Sequence, residues 1–134
     1  MNQKKFKNSS PRIKIIQKIY NSMLNPGVEI EYPKNQYKKF IKDVVSGTLE
    51  RSDYIEETIN KKIPDDIDLV KTDKLLKIIL FASIYELLFK QNTPTKVIIS
   101  EYLKVSDSFV DEGQKSFLNA ILEKASKISR ITNE

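Results

Sequence analysis

The run Leu75–Phe89, LLKIILFASIYELLF, constrains the fold more than any other stretch of the chain. Leu75, Ile78, Ile79, Ala82, Leu87 and their neighbours make it apolar on almost every side, and a helix apolar all round belongs at the centre of a protein. Lys77 and Glu86 interrupt the run, and it falls short of the roughly 20 residues that a bilayer requires. The reading is a buried central helix from about Thr72 to Lys90, around which the rest of the chain must wrap.

The remaining sequence supplies the wrapping elements. Ile13, Ile16, Tyr20 and Met23 form one stripe of a first helix, which Asn25-Pro26-Gly27 stops. Tyr37, Phe40, Ile41, Val44, Val45 and Thr48 form the stripe of a second. Gly47 lies inside that second helix at a cost of about 1 kcal/mol relative to Ala, which suggests that another helix approaches closely there. Ser52-Asp53 reads as the cap of a short third helix carrying Ile55 and Ile59, ended near Pro64. After the central fourth helix, Thr93-Pro94 starts a fifth. A sixth begins past Gly113 and is expected to bury Phe117, Ile121, Leu122, Ala125 and Ile128. No segment alternates with the period of a half-buried strand. The fold class is therefore all-α, about six helices in two small packed subdomains, with residues 1–11 as a flexible basic arm and 12–134 as one domain whose halves are roughly 12–63 and 69–130. A chain of 134 residues is long enough for a core, burying roughly two thirds of its unfolded surface.

Charge is unevenly placed. Residues 1–28 hold six basic side chains and no acid, whereas the rest hold 17 basic and 18 acidic ones. The whole excess of positive charge thus sits in the first 18 residues, which points to a local contact with a polyanion. Catalytic chemistry has little to work with. There is no Cys and no His, so thiol nucleophiles, imidazole bases and the usual zinc ligands are excluded. The three glycines are too dispersed for a phosphate-cradling loop. Asp65, Asp66 and Asp68 read as a solvated loop, and Ser100 and Ser116 lack a base. The expectation is a protein that is not an enzyme, with no catalytic residue, metal or cofactor. A polar, lysine-rich N-terminus with no apolar run behind it suggests no signal peptide and a cytoplasmic location.

Several motifs combine into a family resemblance. Pro94-x-Lys96-Val97-x-Ile99-x-Glu101, then Phe109, then Phe117-x-Asn119-x-x-Leu122 resemble the bacterial transcription antitermination factor NusB family. Tyr85-Glu86-Leu87 looks like that family's signature near the end of its central helix, and Arg12, Gln17 and Tyr20 match its spacing in the first helix. The resemblance implies a helical protein that pairs with the tenth small-subunit ribosomal protein, NusE. The pair would bind single-stranded boxA RNA of ribosomal leader transcripts, acting with other Nus factors and, indirectly, RNA polymerase. The implied RNA-binding residues are Lys4, Lys5, Lys7, Arg12, Lys14, Tyr20, Lys115, Ser116, Phe117 and Asn119. Basic side chains would hold phosphates, while aromatic and amide groups would meet bases. The implied NusE contacts are Asp73, Leu76, Lys77 and Phe81. Here the chain departs from the family, because Leu76 and Phe81 stand where an acid and an Arg are usual, and Asp73, one turn earlier, is the nearest replacement acid. Ser100 and Ala120 stand where Asn and Gly are usual. Asn8, Ser9 and Ser10 replace an arginine cluster.

The residues leave bland readings open beside the sharp ones. Tyr20 and Phe117 fall on apolar stripes and fit a core, Asn119 fits a helix bridge, and Lys96 with Glu101 fits a surface ion pair. A helical protein–protein module without an RNA role of its own is the alternative function, in the manner of the accessory domains of the same fold in rRNA cytosine methyltransferases. Homodimer formation through exposed apolar residues also stays open. The two functions part at the arm. Replacing Lys4, Lys5, Lys7 and Arg12 by Ala should cut RNA affinity sharply in a filter-binding titration if the chain binds RNA, and leave it unchanged if it is a protein-only module.

Overall fold

A computed structural model describes residues 10–132, with side-chain surroundings through residue 127. Six helices follow in order: α1 Pro11–Leu24, α2 Lys38–Glu50, α3 Ser52–Lys62, α4 Lys74–Phe89, α5 Thr95–Ser106 and α6 Glu112–Thr132. No strand occurs among the described residues.

The central position of α4 follows from its side chains. Eleven of its 16 residues are buried, on every side of the helix, so each side needs a neighbour. All five other helices touch it. α1, α2 and α3 pack together along one side, and α5 and α6 along the other, with α1 also reaching α5 and α3 reaching α6. The core is almost entirely aliphatic, built on residues such as Ile16, Ile41, Val44, Ile55, Ile79, Leu87, Ile98 and Leu122. Ser83, the buried hydroxyl of α4, donates back to the carbonyls of Ile79 and Leu80, both at 2.9 Å, so it needs no partner from another helix.

Local chemistry sets the helix ends. Pro11 opens α1, where the missing N–H would have had no intrahelical partner. Gly27 turns the chain afterwards with φ 87°, the left-handed region that glycine enters freely. Asp73 caps α4, its carboxylate accepting from the N–H groups of Leu75 at 3.1 Å and Leu76 at 3.2 Å. That helix is therefore one to two residues shorter at each end than its periodicity suggests. α3 starts at Ser52 with Arg51 before it and no side-chain cap, and α5 starts after Pro94, also uncapped. α6 begins at Glu112, ahead of Gly113. Asp111 accepts from the Gln114 N–H at 2.8 Å, and the Gln114 side chain accepts from the Asp111 N–H at 3.1 Å, which is a reciprocal capping box.

The phase of α6 differs from the expected one at its start. Leu118, not Phe117, enters the core together with Ile121 and Leu122, and Phe117 is left exposed. The two are adjacent, and a rotation of about 100° per residue separates a core position from a surface one. Among the acidic residues between α3 and α4, Asp66 pairs with Lys124 and Asp68 accepts from the Val70 N–H, so both serve loop structure. No group of residues suited to hold a metal occurs among the described residues.

Gly47 performs the close approach that its place in α2 suggests. A Cβ built on it would overlap the ring of Tyr85 on α4. That ring cannot easily retreat, because its hydroxyl donates to Asp43 at 3.1 Å and its face lies 5.2 Å from Phe89. Asp43 in turn pairs with Lys90. Gly47→Ala should therefore destabilise the protein in urea unfolding by about 1–3 kcal/mol, the usual cost of overpacking, although Ala is the better helix former. In a Tyr85→Ala background the same substitution should cost nothing or stabilise.

Candidate nucleic-acid interface

The interface begins with α1. Lys14, Gln17, Lys18 and Asn21 recur at helical spacing along its outer face, while Ile15, Ile16 and Ile19 face the core. No acid occurs on this helix. Lys4, Lys5 and Lys7, the arm residues expected to meet phosphates, lie outside the described residues. Lys14 and Tyr20 are half-buried, and Ser116, Phe117 and Asn119 are exposed on the first two turns of α6. Phe117, with 37% of its surface open, is therefore available as a stacking face. Lys115 donates to Asp107 at 2.8 Å, and this bond holds its ammonium above the usual lysine range.

Arg12 has a different setting from a free phosphate ligand. Its Nε and Nη2 donate to the two carboxylate oxygens of Glu86 at 2.9 and 2.8 Å. Its other Nη lies 3.9 Å from Glu101. The guanidinium also lies over the rings of Phe40 at 5.0 Å and Tyr102 at 5.6 Å. Glu86 is fully buried and also accepts from the Tyr102 hydroxyl. Burial works against the Arg12 charge, but the bonds and charge of Glu86 outweigh it and hold the guanidinium above its ordinary range. Burial, followed by the adjacent Glu86 carboxylate, pushes the Tyr102 phenol well above its own. Glu101 thus pairs with Arg12 and Lys104, not with Lys96. This cluster ties the first turn of α1 to α4 and α5.

Three of the predicted RNA-binding residues line open clefts. Tyr20 lines one of about 480 Å³ with Gln17, Lys18, Asn21, Leu75 and Phe109, between α1, the start of α4 and the α5–α6 loop. Lys115 and Asn119 line another of about 580 Å³ between α5 and α6, beside Lys96, Lys104 and Glu123. Ser116 and Phe117 line neither. Gln17 and Phe109 entered the sequence reading only as residues of the family pattern, and Lys18 and Asn21 were not among its site residues. Gln17, Lys18 and Asn21 follow the spacing of Lys14 and Tyr20 closely enough to have been found, whereas Phe109 sits in a loop without periodicity.

The residues expected to meet a protein partner also separate. Asp73 is the cap of α4, and Leu76 is buried in the core. Lys77 and Phe81, 5.7 Å apart as a cation over a ring, line a groove of about 680 Å³. Ile19, Met23, Leu49, Leu69, Val70 and Ile78 make this groove largely apolar, with Lys74 and Glu56 also lining it. Thr48 also lines it, and its buried hydroxyl has no hydrogen-bond partner among the described residues.

One buried central helix wrapped by five others, with a basic acid-free first helix, defines the class: a small all-α protein of the NusB-like fold. The NusB family pattern matches residues 2–127, and the chain belongs to the NusB family. The transcription antitermination protein NusB of Rickettsia typhi is 30% identical over 139 residues, covering 88% of this chain and 90% of that protein. Its counterparts in Mesorhizobium japonicum and Sphingopyxis alaskensis are 30% and 32% identical over 66% of this chain. Those two matches span only 57% and 59% of the relatives' own lengths. The T. maritima NusB crystal structure (P3121, Form 2) superposes with a TM-score of 0.73 at 19% identity, over 87% of this chain and 89% of that one, which is a likeness of fold. No helix among the described residues is long and apolar enough to cross a membrane.

The Arg12–Glu86 pair generates a stability test. Arg12→Ala strands a buried carboxylate and should cost roughly 3–5 kcal/mol in urea unfolding. Arg12→Met and Glu86→Met combined with Tyr102→Phe should recover most of that loss, because the apolar set leaves neither an uncompensated charge nor a stranded hydroxyl.

Proposed function

We propose that this chain is an RNA-binding transcription antitermination factor that binds a boxA-like single strand together with NusE. In that role it supports ribosomal RNA transcription in the cytoplasm and contacts other Nus factors and RNA polymerase only indirectly. The observation that carries the reading is the acid-free basic face of α1, which continues the acid-free first 28 residues of the sequence. Phosphate contacts supply most of the affinity of such proteins and carry no sequence information, so Lys4, Lys5, Lys7, Lys14 and Lys18 are assigned to phosphates. Tyr20, Ser116, Phe117 and Asn119 are assigned to bases, and Lys115 to the phosphate beside them. Arg12 is assigned to anchoring the arm, since its donors already serve Glu86.

NusE is assigned to the groove of Lys77 and Phe81. The apolar lining together with the unpartnered Thr48 hydroxyl supports a protein there, because a docked backbone both excludes water and supplies an acceptor. Asp73 and Leu76 then act by fixing the start and seating of α4 behind the groove. The groove by itself would equally serve a protein-only module, so the RNA measurement decides between the two.

A filter-binding titration with NusE present should show preference for boxA over a scrambled strand. Log affinity should fall with log salt at a slope of about −0.7 per phosphate neutralised. Replacing Lys4, Lys5 and Lys7 by Ala should make that slope shallower by about 2. Equal binding of boxA and scrambled RNA would sink the reading.

A further inference from the structure

We propose that, in the absence of RNA, residues 1–9 of this chain dock on an acidic aromatic patch of the protein itself, formed by Glu50, Asp53, Tyr54, Glu57 and Phe89, so that an RNA strand must displace them. The docking stands apart from the RNA reading above, and only its effect on RNA affinity rests on that reading.

Charge draws the two segments together. Residues 1–9 carry Lys4, Lys5 and Lys7 and no acid, whereas residues 50–57 carry four acids and one base. That local excess is opposite in sign to the chain's net charge of +5. Glu50, Asp53 and Glu57 are exposed. Glu50 and Asp53 make no ion pair among the described residues, and Glu57 makes a loose one at 3.8 Å with Lys61 on its own helix. The fold thus leaves carboxylate charge here for another cation to meet. Tyr54 and Phe89 add two exposed rings with centres 6.1 Å apart. The Arg51 guanidinium lies over Phe89 at 4.7 Å, so the patch already holds one cation on an aromatic face. Phe6, between Lys5 and Lys7, brings a ring of its own to such a surface.

The patch also lies close to where the arm begins. Arg12 binds Glu86 and covers Phe40. Phe89 stands one turn past Glu86 on α4, and Asp43 one turn past Phe40 on α2. Tyr85 joins the two, donating to Asp43 and packing on Phe89 at 5.2 Å. One turn advances a helix by about 5 Å, and extended chain covers roughly 3.3 Å per residue, so the lysines ahead of Ser10 reach the patch with length to spare. The acids of the connecting loops lie at the other end of the bundle: Glu29 and Glu31 follow the end of α1, and Asp65, Asp66 and Asp68 precede the start of α4. A short tether holds its end at an effective concentration on the order of millimolar, which lets individually weak ion pairs act together. The contact sets a threshold. A polyanion held by arm lysines alone must first displace them from carboxylates, whereas a strand held at its bases as well has affinity to spare.

The test has two readouts on the full chain. The first is carbodiimide coupling, which joins lysine to a touching carboxylate, followed by peptide mass mapping. Without RNA, Lys4, Lys5 or Lys7 should link to Glu50, Asp53 or Glu57 at a yield independent of protein concentration. The links should vanish at about 1 M salt, where the screening length falls to about 3 Å. Links that need high protein concentration would make a second copy the occupant, and links elsewhere or none would leave the patch empty; each overturns the proposal. The second readout is boxA affinity by fluorescence anisotropy. Glu50→Gln with Asp53→Asn and Glu57→Gln, all at exposed positions, should bind about two- to tenfold more tightly, the gain from freeing an arm docked half to nine-tenths of the time. With Lys4, Lys5 and Lys7 also replaced by Ala, the same three changes should add nothing. An equal gain in both backgrounds would reduce the effect to plain charge removal and sink the proposal. If wild type shows no preference for boxA, the RNA reading falls while the cross-links still decide the docking.

Discussion

A carboxylate buried in an aliphatic helix is costly unless it is paired and hydrogen-bonded. Glu86 is that group. α4 is otherwise apolar on all sides, so the charge of Glu86 can be compensated only from neighbouring helices, and Arg12 of α1 and Tyr102 of α5 provide the compensation. The bidentate geometry fixes the direction of the guanidinium as well as its position. Three helices distant in sequence thereby share one electrostatic centre, and the start of α1 is set to the residue. An aliphatic core tolerates small rotations of its helices, but a forked ion pair with two rings stacked on its cation does not.

Much of this architecture is legible in the sequence, because periodicity reports directly on burial. The all-round apolarity of Leu75–Phe89 identifies the central helix, and a glycine within the stripe of α2 identifies a close contact with it. What periodicity cannot supply is the partner. Arg12 and Glu86 are 74 residues apart, and nothing local separates an arginine that pairs inward from one that faces solvent, so Arg12 read as part of the basic arm. Glu86 read as an interruption of an apolar run, when it is the reason that run needs α1.

The candidate site was legible to a lesser degree, for a related reason. Phe117 and Leu118 both fit an apolar stripe, and which one enters the core depends on where α4 and α5 stand beside α6. The capping box of Asp111 and Gln114 sets that start, and it leaves Phe117 outside. Residue type marked Tyr20 and Asn119 as candidates for base contacts, and the fold places them in two different clefts. Leu76 and Phe81 illustrate the same limit. Both are buried on one helix, yet only Phe81 also lines the groove.

α1 borders two of these clefts with different sides. Ile19 and Met23 line the groove of Lys77 and Phe81, and Gln17, Tyr20 and Asn21 line the smaller cleft beside Phe109. The seating of this one 14-residue helix therefore shapes both openings. Arg12 pins its first turn to Glu86, so a single buried ion pair far from either opening sets the geometry of both.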